Sequence, residues 1–256
     1  MKLIPEPVTK KQLEILILLY RFRYLNRTHI QTFLHHKSHS LITTYLKDLT
    51  DRKIINRIYS QTIGNINEPA IYYLGLKSRP ILEKAGCDPI QLKRVYKEDE
   101  NSLKFQKHWL FIADLYFCFL ETAHKNNAEL QFLTATDLKN YAYTPLPRPD
   151  AYITVKDNKQ TKRYFLEVFD DGDPFFAVLS KINKYLRYFE EGYWQDHQKH
   201  PFPKILFIYP NPKIKKWLVR TIAEKLEDQD IDISFFLGSR ASIQQDSITG
   251  QTWEAA

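Results

Sequence analysis

Apolar residues in the first fifty positions recur at intervals of three and four. Leu13, Leu16, Ile17 and Tyr20 do so in KKQLEILILLYRF. Ile30, Phe33 and Leu34 do so in HIQTFLHH, and Leu41, Ile42, Tyr45, Leu46 and Leu49 in LITTYLKDLTDRKI. This period predicts three amphipathic helices. Thr9 is placed to cap the first, Thr28 the second, and Ser38 or Ser40 the third. The pattern then changes: IINRIYSQ alternates, TIGNINEP supplies turn residues, and AIYYLG is β-branched and aromatic, which together predict a hairpin. Three short helices followed by a hairpin predict a winged helix-turn-helix domain. In that arrangement the third helix enters the major groove and the wing lies along the backbone.

LKSRPILEKAGCDP predicts a further short helix ended by Gly86 and Pro89, and QLKRVYKEDENS is the most polar connection in the chain. The expected domains are therefore a winged helix over 1–88, a linker over 89–101, an α/β domain over 102–240 and a tail over 241–256. The α/β domain opens with a long, largely buried helix, Leu103 to Lys125, bearing His108 as a packing residue. ELQFLTA, DAYITV and RYFLEVF follow as strands, then the helix FFAVLSKINKYLRYFEE, the strand KILFIYP, the helix KIKKWLVRTIAEKLED and the strand ISFFLG. Helix, three strands, helix, strand, helix, strand is an α/β layer, so the chain as a whole is expected to be α+β.

Composition narrows the class. With 43% hydrophobic residues and only 7 Gly in 256, the chain can bury real cores. Cys87 and Cys118 form neither a disulfide framework nor a CxxC pair, which points to a reducing, cytoplasmic setting. No signal peptide or membrane span is expected, because the apolar run Leu13 to Tyr20 is too short. Charge is uneven: residues 1–97 hold 17 Lys/Arg against 7 Asp/Glu, whereas residues 98–256 hold 20 against 23. A basic N-terminal part suits double-stranded DNA, whose phosphates release counterions when neutralised. The expected contacts are Ser38, His39, Ser40, Thr43, Thr44 and Lys47 on the third helix, with Arg57 and Asn65 on the wing. The plainer alternative is that Ser38 and Ser40 only cap and Lys47 is only solvated. His35, His36 and His39 lack a Cys or carboxylate at ligand spacing, so a metal site is not expected there.

Chemistry in the second half centres on two acids, Asp150 in RPDAYITV and Glu167 in YFLEVFDDG, on neighbouring apolar strands. Buried carboxylates are costly unless compensated. The order of elements, with Pro149–Asp150 before one strand and Glu167 within the next, resembles the PD-(D/E)xK nuclease fold. That resemblance implies a metal held by Asp150 and Glu167, with a lysine two residues beyond the acid. Position 169 is Phe169, which shares the face of Glu167. Lys181 on the following helix has three readings: a migrated catalytic cation, a structural ion-pair partner, or no contact at all, with Asp150 merely capping its strand.

From the winged helix through His108, RPD, FLEVFDDG and KINKYLRYF, the chain resembles the replication-relaxation family of plasmids and conjugative elements over about residues 9–240. Pro149, Asp150, Glu167, Lys181, Tyr185 and Tyr188 are the matching positions. The resemblance implies a DNA-binding accessory protein of replication or mobilisation, with a relaxase or replication initiator as partner and a nuclease-like domain that is degenerate. No cofactor is then required. The rivals are an Mg²⁺-dependent endonuclease using Asp150, Glu167 and Lys181, and a winged-helix transcriptional repressor. A homo-oligomer stays open.

Overall fold

The computed structural model describes residues 7–59, 69–227, 233–246 and 252–256. It divides into unit 1, Met1–Asp114, and unit 2, Leu115–Ala256. The fold is mixed α/β, and among the described residues no helix is long and apolar enough to cross a membrane.

In unit 1, α1 (Lys10–Phe22) begins at the expected Thr9, through a capping box in which Thr9 and Gln12 exchange side chain-to-backbone hydrogen bonds. Chain β1 (Leu25–Asn26) leads directly into α2 (Arg27–Phe33). Asn26, not Thr28, caps α2: its Oδ1 accepts the His29 N–H at 2.8 Å. An Asx side chain at the end of an extended dipeptide outcompetes a threonine that already lies inside the first turn. Helix α3 (His39–Asp51) starts after Ser38 and buries Ile42, Leu46 and Leu49. Next, β2 (Ile55–Ile58) pairs antiparallel with β3 (Ile71–Leu74), with Arg57 opposite Tyr72, and β1 adds to the other edge of β3. The expected turn over 60–68, with Asn65, lies outside the described residues.

The segment expected as a linker is folded. After α4 (Arg79–Lys84), α5 (Pro89–Leu92) and a 3₁₀ turn over Lys93–Lys97 bury Leu92 and Val95. Glu98, 2% exposed, receives Arg23 at 2.9 Å, Arg94 at 3.4 Å and the Tyr24 hydroxyl at 2.8 Å. Burial, and then the charge of Glu98, push the Tyr24 phenol well above its ordinary pKa, so it stays a donor. Within KRVYKEDE, Arg94 and Glu98 therefore belong to an internal ion cluster of unit 1, while Lys93, Lys97, Asp99 and Glu100 face solvent. Helix α6 (Leu103–Lys125) is the expected long helix, with Phe111, Ile112 and Leu115 buried but Leu103 half exposed at its first turn.

Unit 2 is a six-stranded sheet in the order β4-β5-β6-β7-β8-β9. β4 (Glu129–Thr134), β5 (Ala151–Lys156) and β6 (Thr161–Val168) run antiparallel, β5 and β6 being joined by a tight turn and β4 and β5 by the longer segment 135–150. Helix α7 (Phe175–Glu190) and the short α8 (Tyr193–His197) then carry the chain over to β7 (Lys204–Tyr209), and α9 (Pro212–Glu227) over to β8 (Phe235–Ser239). Both crossovers give parallel pairs, as helical connections do. Phe165, Phe169, Ile182, Phe207, Leu218 and Phe235 form the core between this sheet and the helices. The expected tail over 241–256 instead contains most of α10 (Arg240–Asp246) and β9 (Trp253–Ala255), which pairs antiparallel with β8.

Removing the acid at the centre of the unit 1 cluster tests its weight. Glu98→Ala leaves two guanidinium groups without their carboxylate, and we expect a loss of about 3–5 kcal/mol in urea unfolding. Glu98→Gln, which keeps an acceptor for Tyr24, should lose less. A loss under about 0.5 kcal/mol in Glu98→Ala, the ordinary range for surface substitutions, would contradict the buried-cluster account.

Candidate functional site

Helix α7 carries Lys181, Lys184, Tyr185 and Tyr188 at i, i+3, i+4 and i+7, a single stripe along the helix. The first three converge on Glu167, which is 1% exposed near the end of β6. Lys181 Nζ lies 2.6 Å from Glu167 Oε2. Lys184 donates to Glu167 Oε1, and the Tyr185 hydroxyl donates to the same oxygen at 2.7 Å. Lys184 also donates to the Pro147 carbonyl at 3.1 Å, and Tyr188 donates to the Tyr143 carbonyl.

Asp150, one residue before β5, accepts the Val168 N–H at 2.8 Å through Oδ2, and Lys181 Nζ stands 3.8 Å from that oxygen. One ammonium thus faces both acids, and the reading without contact does not hold. Phe169 is buried beneath it: the Lys181 ammonium lies 5.2 Å from the Phe169 ring centroid, and that ring packs edge-on against Phe207. A lysine at position 169 would have to enter this apolar contact.

The two lysines respond oppositely to the same carboxylate. Burial pushes the Lys184 amine below its ordinary pKa, against the pull of Glu167 and with a further push from Lys181. Lys181 is more open to solvent; desolvation acts downward there too, but Glu167 and then Asp150 outweigh it and hold the amine above its ordinary value. Tyr185, fully buried beside Glu167, is raised well above the phenol range, so its proton stays in the hydrogen bond.

The expected DNA-contacting residues of unit 1 occupy one side of α3. His39, Ser40, Thr43, Thr44 and Lys47 are exposed, and Ser38 is half buried as the cap, accepting the Leu41 N–H. The Thr43 and Thr44 hydroxyls donate back to the His39 and Ser40 carbonyls, each at 3.0 Å. Their oxygens and methyl groups therefore face solvent as acceptors and apolar contacts. Arg57 is exposed on β2, its guanidinium 5.2 Å from the Tyr59 ring centroid.

The replication-relaxation family model matches residues 16–205. The chain belongs to the replication-relaxation family. No curated protein matches it. Among solved structures, a mutant of ZitR from Lactococcus lactis is 19% identical with a TM-score of 0.28, over 46% of this chain and 76% of that one. The restriction endonuclease FokI is 12% identical with a TM-score of 0.34, over 96% of this chain and 47% of FokI. At these scores neither likeness carries an argument.

In this replication-relaxation protein the carboxylate pair does not fit a divalent cation as it stands. Glu167 Oε1 accepts two donors, Oε2 is held by Lys181, and two ammonium groups face two carboxylates. Among the described residues no group of three or more His, Cys, Asp or Glu is gathered to ligate a metal. Lys184 was not singled out from the sequence, although its spacing from Lys181, Tyr185 and Tyr188 places it on the same stripe.

Glu167→Ala should cost about 3–5 kcal/mol by chemical denaturation, because it strands two ammonium groups and a phenol. Replacing Glu167 by Leu together with Lys181→Met and Lys184→Met should recover much of that loss; a triple variant as unstable as Glu167→Ala would contradict the ion-cluster account. For Lys184, the lowered pKa means that the folded chain binds fewer protons than the unfolded one between its folded value and the ordinary lysine value. Stability contributed by this group therefore rises with pH through that window. The wild type should gain stability relative to Lys184→Met as alkaline pH is approached, and an opposite slope would reverse the assignment.

Proposed function

We propose that this protein is a DNA-binding accessory factor of replication or mobile-element transfer. In this reading unit 1 is a winged helix that recognises duplex DNA, and unit 2 is a PD-(D/E)xK-like scaffold that no longer cleaves. The observation that carries the proposal is the exposed polar stripe Ser40, Thr43, Thr44 and Lys47 on α3, in a part of the chain where 17 Lys/Arg oppose 7 Asp/Glu over residues 1–97. A helix with such a face fits the major groove, and its basic surroundings supply the phosphate attraction. Membership of the replication-relaxation family supports the replication setting.

The mechanism follows from the polar groups. Thr43 and Thr44 have spent their protons on the helix backbone, so each offers an oxygen acceptor to an adenine or cytosine amino group and a methyl to thymine. Lys47 and Arg57 neutralise phosphates and set the register. In unit 2, Lys181 supplies from the helix the positive charge that a metal would supply, which makes the domain stable without turnover. A second reading, an endonuclease with a migrated lysine, is favoured by one observation: Lys181 faces both Asp150 and Glu167. A partner such as a relaxase or initiator would complete the accessory role.

Replacing Lys47 and Arg57 by Ala in the full chain should reduce the slope of log K against log salt by roughly 1 to 2 if both touch phosphate. An unchanged slope would move the interface elsewhere. Thr43→Ala or Thr44→Ala should relax preference at one or two base pairs by about 1–3 kcal/mol each, while nonspecific affinity holds. Equal losses on every sequence would assign the threonine to the backbone.

A further inference from the structure

The sheet of unit 2 is covered by α7 on the face that carries Phe165 and Glu167. Its other face is open at the end away from Glu167. Register places the side chains there: Val155 opposite Lys162, Tyr164 opposite Lys204, Leu206 opposite Phe236, and Gly238 opposite Trp253. With the C-terminal turns of α6 as a wall, these residues other than Gly238 line a cavity of about 640 Å³. That size lies within the roughly 300–1,000 Å³ of small-molecule sites.

The lining divides by chemistry. Tyr164, Leu206, Phe236 and Trp253 form an apolar, largely aromatic floor. Gly238 leaves room for the Trp253 ring, since a Cβ at position 238 would lie 2.8 Å from it. The rim carries Lys159, Lys162 and Lys204. Lys204 stands over the Phe236 ring, 4.8 Å from its centroid, so a cation and an aromatic face meet at one point. Among the described residues Asp157 is the one carboxylate in the lining, and it is committed to the β5–β6 turn. Its Oδ1 accepts the Lys159 and Gln160 N–H groups at 2.7 and 2.8 Å, and these bonds, first among several causes, hold its pKa below the ordinary range. Three lysines against one engaged carboxylate call for an anion, and the aromatic floor calls for a flat ring.

We propose that this cavity binds a mononucleotide, with the base on the Tyr164–Phe236–Trp253 floor and the phosphate at Lys162 and Lys204. The site is separate from the Glu167 cluster, which occupies the opposite face of β6, and from the α3 stripe. It gives unit 2 a ligand-binding role independent of cleavage and of duplex recognition. Two ligand halves are needed because aromatic stacking tolerates any base while the lysines select for phosphate.

Isothermal titration of the full chain with AMP, adenosine and inorganic phosphate tests the proposal. AMP should bind at one site, with adenosine and phosphate each at least roughly tenfold weaker. The exposed pair Lys162→Ala and Lys204→Ala should weaken AMP by roughly tenfold or more and leave adenosine unchanged, while Phe236→Leu should weaken AMP and adenosine alike. A matching far-ultraviolet spectrum and melting temperature would show that each variant is folded. Three results would overturn the proposal: no heat from AMP at millimolar concentration, AMP binding indifferent to the two lysines, or phosphate alone binding as tightly as AMP.

Discussion

A carboxylate that is 1% exposed in an apolar layer is tolerable only if its charge is met at close range, and the organisation around β6 follows from how Glu167 is met. Lys181, Lys184 and Tyr185 reach it from three positions on one helix face, so α7 cannot rotate or slide on the sheet without breaking several charged contacts at once. The same stripe ties down the segment before β5, because Lys184 also donates to the Pro147 carbonyl and Tyr188 to the Tyr143 carbonyl. Asp150 then joins through Lys181 and the Val168 N–H. The hydrophobic packing of Phe165 on Tyr185 and of Phe169 on Phe207 closes the inner side of this cluster, around Glu167, while Lys181 keeps access to solvent.

The two helices on which the functional reading rests carry polar side chains at identical spacing and use them oppositely. On α3, Ser40, Thr43, Thr44 and Lys47 face solvent, because Ile42, Leu46 and Leu49 supply the buried side. On α7, the polar Lys184 and Tyr185 are buried together with Val178, Ile182 and Leu186, because an acid on the strand below gives them a partner. Helical periodicity identifies which residues share a face. It does not say whether that face meets water or a buried charge, and only the partner strand decides.

That distinction explains what could be read from the chain. The caps Thr9 and Ser38, the apolar sides of α1 and α3, the β2–β3 pair and the run of elements from α6 to β8 have strong local signals and were legible. Asp150, Glu167 and Lys181 were legible as a possible constellation because their spacing matches a known pattern, yet their contact depends on how α7 packs. Lys184 was missed because a lysine on an amphipathic helix looks solvated until its buried acceptor is known. The linker over 89–101 was misread for the same reason: Arg94 and Glu98 look like surface charges, but they close an internal cluster with Arg23 and Tyr24. The edge strands β1 and β9, two and three residues long, are specified by the strands they join rather than by their own sequence.

The central proposal is that Lys181, which faces both Asp150 and Glu167, acts as a structural ion-pair partner and that unit 2 serves as a scaffold. In this proposal lysines, not a metal, neutralise the two carboxylates, and the attacking water and the developing charge on phosphate would lack an activating group. The most direct measurement is conversion of supercoiled plasmid to nicked or linear forms in Mg²⁺ and in Mn²⁺, comparing the wild type with Asp150→Ala and Lys181→Ala. The account predicts DNA binding without nicking above background in all three proteins. Metal-dependent nicking by the wild type that disappears in both variants would contradict it and establish Lys181 as a catalytic residue.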